Sequence, residues 1–403
     1  MALLPVADAL QRVLAQASAL PLERIPVAEA VRRVLAEDVR ALRTQPPADV
    51  SAMDGYAIRA GDVTSAPTKL TVIGEVAAGR PFEGEVQAGQ AVRIFTGGEL
   101  PAGADTIVVQ EQTQRDGDTV VIASVPQKGR HIRAAGLDFK TGDPLLARGR
   151  VLTGRDVGLA AAMNHPLLPV HRRPRLALLA TGDELVMPGQ QPGPGQIVYS
   201  NGFSVAALAR QEGADVTDLG IARDNIADTV AAIQNARTRR VDVLVTMGGA
   251  SVGDYDLVQQ ALTAEGMDLS FWKIAMRPGR PLMHGRLGPI HVLGLPGNPV
   301  SAFVCAFLFL LPLLRTLSGR ADTTVAPENA LLGSDLPEND ERADYLRARL
   351  SFSSRGALVA TPFPLQDSSM TRVLAEADCL VLREPHAPRA GAGSPCTILR
   401  LPR

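Results

Sequence analysis

The apolar pattern changes character several times along the chain. Residues 5–19 place Val6, Leu10, Val13, Leu14 and Ala17 on one helical face, and Val27–Leu35 repeats this with Val31, Val34 and Leu35 inward. Pro46-Pro47 ends the helical start. From 48 to 140 short β-type runs (Lys69–Val76, Ala91–Ile94, Thr106–Gln110, Thr119–Ile122) alternate with glycine turns, which predicts a small antiparallel β domain. Residues 141–170 hold a further strand and a helix over Thr153–Met163, with Thr153 as N-cap.

From Arg175 the rhythm becomes strand–helix–strand. The strands are Leu176–Ala180, Val216–Ile221, 241–246 and Ile290–Leu293. Helices cover Ser200–Glu212, Ile226–Arg237 and Leu257–Ala264. Continuous apolar strands separated by helices predict a parallel sheet buried on both faces. Residues 321–403 return to β character at Tyr345–Phe352, Leu358–Pro362, Cys379–Leu382 and Thr397–Leu401. The expected division is 1–47 with 141–170 as a helical linking domain, part of 1–20 packing on the α/β domain; 48–140 as a β-rich domain; 171–320 as the α/β domain; and 321–403 as a small β domain.

Composition narrows the function. The 403 residues carry a net charge of −1 and 4% aromatics, so neither a basic field nor base-stacking platforms point to nucleic acid. The cysteines, Cys305, Cys379 and Cys396, are far apart and form no CxxC pair, which fits a reduced cytoplasm and argues against a disulfide framework or zinc site. The greasy run Ala302–Leu314 is too short to span a bilayer and predicts a buried helix, with no membrane partner.

Candidate chemistry sits at the carboxyl ends of the parallel strands, where ligands bind in open α/β sheets. VDVLVTMGGASVGDYD runs from a strand into Gly248, Gly249 and Ser251, then Asp254 and Asp256. Glycine lets backbone approach a bulky ligand, and the carboxylates suit a divalent cation, so the loop reads as a Mg²⁺-assisted phosphate-ester site or as a solvated acidic turn. TGDEL adds Asp183 and Glu184 after one strand, and Asp224 follows another. In FWKIAMRPGRP, Lys273, Arg277 and Arg280 make a compact cationic patch whether the segment is helical or extended. LPGNPVSA presents Gly297 and Asn298 before the greasy helix, either as an anion site or as ordinary capping.

Taken together, SAMDGYA (51–57), RIFTGGELPAGAD (93–105), TGDEL, TMGGASVGDYD, FWKIAMRPGRP and LPGNPVSA resemble the molybdopterin molybdenumtransferases, the molybdenum insertases that include the E domain of gephyrin. The six motifs run in register over nearly the whole chain. The resemblance implies a multidomain α/β architecture: a central, mainly parallel domain like the molybdopterin adenylyltransferases, a β-rich second domain and a C-terminal small β barrel. It also implies a cytoplasmic homodimer that inserts molybdate into adenylylated molybdopterin with Mg²⁺, releasing AMP. The site is expected between the α/β domain of one subunit and the second domain of the other. Molybdopterin adenylyltransferase and cofactor acceptor proteins are the implied partners.

Carried over by position, Asp54, Thr96 and Asp138 are site residues of the second domain. Glu184, Asp224, Asp256, Lys273 and Arg277 complete the catalytic set, with Asp224 and Asp256 as metal ligands. Gly248, Gly249, Ser251, Arg280, Pro296, Gly297, Asn298, Pro299, Arg347 and Ser368 are the implied substrate-binding positions. Three positions depart from the family pattern: Arg277 replaces lysine, Tyr199 replaces aspartate, and Ser369 stands where histidine is common. The alternatives are the adenylyltransferase itself, against which the β domains and about 170 preceding residues argue, and a non-catalytic scaffold of the gephyrin type, against which the retained acids and cations argue.

Overall fold

In the computed structural model, residues 3–248 and 257–402 are described. The central sheet has the strand order Asp215–Ala222, Arg175–Thr181, Val243–Met247, Ile290–Leu295, Pro281–Leu287, Asp268–Lys273. The first four are parallel, and the last two add antiparallel edges. The inner strands are buried throughout, as continuous apolar runs require when helices cover both faces.

The greasy segment is longer than the run suggests. Helix Pro299–Leu317 has 19 residues, enough by length and composition to cross a membrane, yet it lies in the core of the α/β domain with Phe307, Phe309 and Leu313 fully buried. Helix Val6–Leu14 lays Ala9 and Val13 into the same core, and Leu4 bridges to Ile274. The chain start therefore belongs structurally to the α/β domain.

The expected helix over Val27–Leu35 does not form. A short 3₁₀ turn, Val27–Glu29, gives way to Arg32 at φ 64°, and bridges Val34–Val151 and Leu35–Val170 follow. A left-handed residue ends a helix, and Val31 points outward at 46% exposure. Thr153 does cap helix Gly154–Ala162, in a reciprocal box with Asp156.

The 48–140 domain holds a six-stranded sheet that is mixed rather than antiparallel. Thr68–Val76 runs parallel to Gln90–Ile94, because the 77–89 connection is long enough to cross over. At the C-terminus five strands close into a barrel: Ala343–Phe352 pairs with Leu358–Pro362 and Cys379–Arg383, and Glu328–Leu332 and Pro395–Arg400 complete the ring.

Candidate active-site cleft

The parallel strands end together. Thr181 pairs with Ala222, and Met247 pairs with Ala180 and Leu295, so their following loops meet on one edge. Gly182 sits at φ 144°, and a Cβ there would lie 2.4 Å from Glu184 Oε2, so glycine lets the glutamate fold back over the strand end. Gly248 is at φ 90°, and a Cβ there would lie 2.4 Å from the Thr181 carbonyl oxygen. The Asp183 amide donates to Asp224 Oδ2 at 3.2 Å, and the Asp224 amide donates to Asp183 Oδ1 at 3.3 Å. This exchange ties the two strand-end loops together, each carboxylate accepting from the other loop's backbone.

A slot of about 340 Å³ opens at this edge, lined by Thr181, Glu184, Tyr199, Gly248, Asn298 and Pro299 among others. Asn201 Nδ2 donates to the Gly297 carbonyl at 2.6 Å and fixes the LPGNP turn. Asn298 occupies the cap position of the long helix, but its side chain makes no capping bond. It donates instead to Ser368 Oγ of the barrel at 2.8 Å. Pro299 is the first helical residue, where its missing N–H costs nothing.

A second chamber of about 610 Å³ shares Glu184, Gly248, Gly297 and Asn298 with the slot, and Pro296, Arg280 and Ser368 also line it. Lys273 ends its strand with Nζ 5.5 Å from the Trp272 ring centre, a cation–π distance. Lys273 and Arg280 are exposed and form no ion pair with the described residues. Arg277 differs. Its Nε donates to Asp344 Oδ1 at 2.7 Å, Nη2 reaches Asp344 Oδ2, and Nη1 lies 3.3 Å from Asp340 Oδ2. Hydrogen bonding to Asp344 raises the Arg277 pKa, and the Arg342 hydrogen bond is the main cause that pulls Asp340 down to about 2.

Arg347 is 1% exposed and donates through Nη2 to the Asp367 carbonyl at 3.0 Å. Burial lowers its pKa. It therefore supports the segment carrying Ser368 from inside the barrel. The Val300 amide donates to the Ser368 carbonyl at 3.0 Å, a second tie between barrel and helix start.

In the 48–140 domain, Asp54 Oδ1 accepts from the Thr96 amide at 2.7 Å and from its hydroxyl at 2.8 Å. These bonds, the amide first, hold the Asp54 carboxyl below the usual carboxylate range. Asp138 borders a separate cavity of about 510 Å³ with Gly97, Glu99 and Arg133. Among the described residues, the hydrogen bonds of Asp54, Thr96 and Asp138 stay within residues 45–138, away from the cleft.

Gly249, Ser251 and Asp256, with Asp254, lie outside the described residues. Asp340, Asp344 and Asn339 escaped the sequence reading. Their signal is the acidic run ENDERAD at 338–344, opposite in charge to RPGR at 277–280.

Residues 4–164 match the MoeA N-terminal region (domain I and II), 177–316 the probable molybdopterin binding domain, and 329–401 the MoeA C-terminal region (domain IV). The molybdopterin molybdenumtransferase of Haemophilus influenzae is 34% identical over 90% of this chain and 90% of its own. That of Nostoc sp. is 41% identical over 68% of this chain and 65% of its own length. The crystal structure of the molybdopterin biosynthesis moea protein of Pyrococcus horikoshii superposes with a TM-score of 0.86 at 28% identity, covering 99% of both chains. With all three regions present in order on a shared fold, the chain belongs to the molybdopterin molybdenumtransferase family.

Proposed function

We propose that the protein transfers molybdenum from molybdate to adenylylated molybdopterin, yielding molybdenum cofactor and AMP. The observation that supports this most is the continuity of slot and chamber through Glu184, Gly248, Gly297 and Asn298. One ligand thereby spans a glycine-lined slot and a chamber bordered by cations. The slot takes the pterin end, with Asn201 and Asn298 holding its walls. Lys273 and Arg280, which have no carboxylate partner among the described residues, take the oxyanion charge of molybdate and phosphate. The carboxylates of Asp183 and Asp224 are hard oxygen donors that fit Mg²⁺, with Asp256 as a further ligand. Bound there, Mg²⁺ would supply positive charge that offsets the negative charge of the phosphoanhydride.

Asp54, Thr96 and Asp138 lie in a different domain, and the proposed complete site takes them from the second subunit of a homodimer in the cytoplasm. An adenylyltransferase supplies the substrate, and acceptor proteins receive the cofactor. The test is to incubate the purified protein with adenylylated molybdopterin, Mg²⁺ and molybdate. Molybdate-stimulated AMP release with active cofactor supports the proposal. ATP consumption on unadenylylated molybdopterin, or no turnover, overturns it.

A further inference from the structure

We propose that Arg277 is a positioning residue, a latch joining the α/β domain to the barrel, and that it does not hold the oxyanion. The strand segment Met276–Arg277 leaves the α/β domain and pairs in parallel with the barrel strand Ala343–Phe352, Met276 opposite Ala343 and Arg277 opposite Asp344. The Ala343 amide donates to the Ala275 carbonyl at 3.0 Å. Over this backbone joint the guanidinium forks onto both oxygens of Asp344, which is 5% exposed. Its remaining donors reach Asp340 and Asn339, each at 3.3 Å. Asn339 in turn donates to the carbonyls of Arg342 and Glu384, each at 2.8 Å, so the fork is tied into the closing strands of the barrel.

The charge count agrees. Arg277 and Arg342 face Asp340 and Asp344, two cations against two carboxylates. A balanced quartet presents little field to a dianion in the chamber, in contrast to Arg280, which lines it with no carboxylate partner among the described residues. The latch also has a counterpart. Arg277 and Ser368 both line the 610 Å³ chamber, and Ser368 is the barrel residue bonded to Asn298. Two pins therefore connect the domains around one chamber, one charge-assisted and one neutral. A bidentate fork serves this purpose where an ammonium, a point charge, does not. The effect on catalysis rests on the transfer reaction proposed above; the latch itself does not.

The test uses the full-length protein with Arg277→Lys, Asp344→Asn and the double variant. Two readouts are taken: hydrogen exchange at the Ala343 amide, which needs no substrate, and AMP release against molybdate concentration. The latch predicts at least tenfold faster exchange in each single variant and no further increase in the double. It also predicts an equal fall in kcat/KM in both singles at an unchanged molybdate KM. An oxyanion role predicts the reverse for Asp344→Asn, which would free Arg277 and lower the molybdate KM. That result, or unchanged Ala343 exchange, overturns the proposal. If Asp344→Asn fails to fold, Arg277→Lys, whose side chain is 48% exposed, carries both readouts. Exchange decides the latch even if the chain releases no AMP.

Discussion

Asn298, at the start of the long core helix, donates its side-chain amide to Ser368 Oγ of the barrel at 2.8 Å. The same serine's carbonyl accepts from the Val300 amide at 3.0 Å. Ser368→Ala keeps the backbone bond and loses the side-chain one. A net hydrogen bond contributes about 1 kcal/mol, which corresponds to roughly fivefold in kcat/KM if the bond serves the bound state. Asn298→Ala removes the same bond from the other side, so the double variant should be no worse than the single. Additive losses in a double-mutant cycle would show that the two residues act separately.

Asp54 and Thr96 offer a test of assembly. Both of the Thr96 bonds to Asp54 favour the carboxylate, so the Asp54 carboxyl stays charged below the ordinary range. Thr96→Val leaves the amide donor and removes the hydroxyl, so the acid limb of the pH–rate profile should move to higher pH. Asp54→Ala should be inactive alone, as should Lys273→Ala. Because the proposed site draws Asp54 and Lys273 from opposite subunits, mixing the two variants should restore one intact site per heterodimer. Their mixture staying inactive, with exchange of subunits demonstrated, would rule out a shared site.

How much of this was legible in the sequence depended on whether the signal was local. Leu176–Ala180 and 241–246 read as buried strands because every position but Asp242 is apolar or β-branched, and the strand Val243–Met247 and all but the first residue of Arg175–Thr181 are buried. The Thr153 cap was legible from side-chain chemistry three residues from its partner, Asp156. Val27–Leu35 was misread because its spacing mimics a helical face, while Arg32 adopts a left-handed conformation that the surrounding fold selects. The strand Pro281–Leu287, second from the sheet edge, went unread because Pro281, Gly285 and Arg286 interrupt its apolar run. At the cleft, glycines and acids of the strand-end loops were visible as motifs. The Arg277 partners were not, since Asp340 and Asp344 are more than sixty residues away in sequence and meet it only once the barrel has closed.

Gly202 is fixed by Tyr199. A Cβ at Gly202 would sit 1.7 Å from the Tyr199 hydroxyl, and Tyr199 is 2% exposed. Nothing flexible separates them, so Gly202→Ala must displace the ring, which borders the slot. The expected cost is about 1–3 kcal/mol of stability, the usual range for overpacking, with weaker binding of adenylylated molybdopterin. Tyr199→Phe should cost no thermal stability, because the hydroxyl has no hydrogen-bond partner among the described residues. Combining Tyr199→Phe with Gly202→Ala should rescue little, because the added Cβ would still lie 2.3 Å from the ring Cζ; thermal unfolding measures this. A destabilised Tyr199→Phe, or a harmless Gly202→Ala, would contradict this packing.

The last prediction concerns acid stability and lies away from the cleft. His284 and His291 are 2% and 3% exposed, with ring centres 6.2 Å apart on adjacent strands. Among the described residues, neither ring nitrogen of His284 has a hydrogen-bond partner, nor does Nδ1 of His291. Burial first, and Arg286 second, push His284 down to about 4; the same causes, joined by His284 and opposed by Asp242, push His291 down to about 3. In the unfolded chain a histidine takes its proton near pH 6.5. Above that pH both states leave the imidazoles neutral, and their contribution to stability is fully present. As pH falls below 6.5 the unfolded chain binds protons that the folded chain refuses, so stability declines until pH passes through the folded values near 4 and 3. For His284 the gap corresponds to roughly 3 kcal/mol by pH 4. Carboxylates titrate over part of the same range, so the comparison must be between variants. His284→Leu, similar in volume and without a titrating group, should match the wild type near pH 8 and lose less stability between pH 6.5 and 4. Denaturant unfolding of the α/β domain across that range measures the difference. Parallel acid slopes in the two proteins would mean that His284 does not set the acid limit.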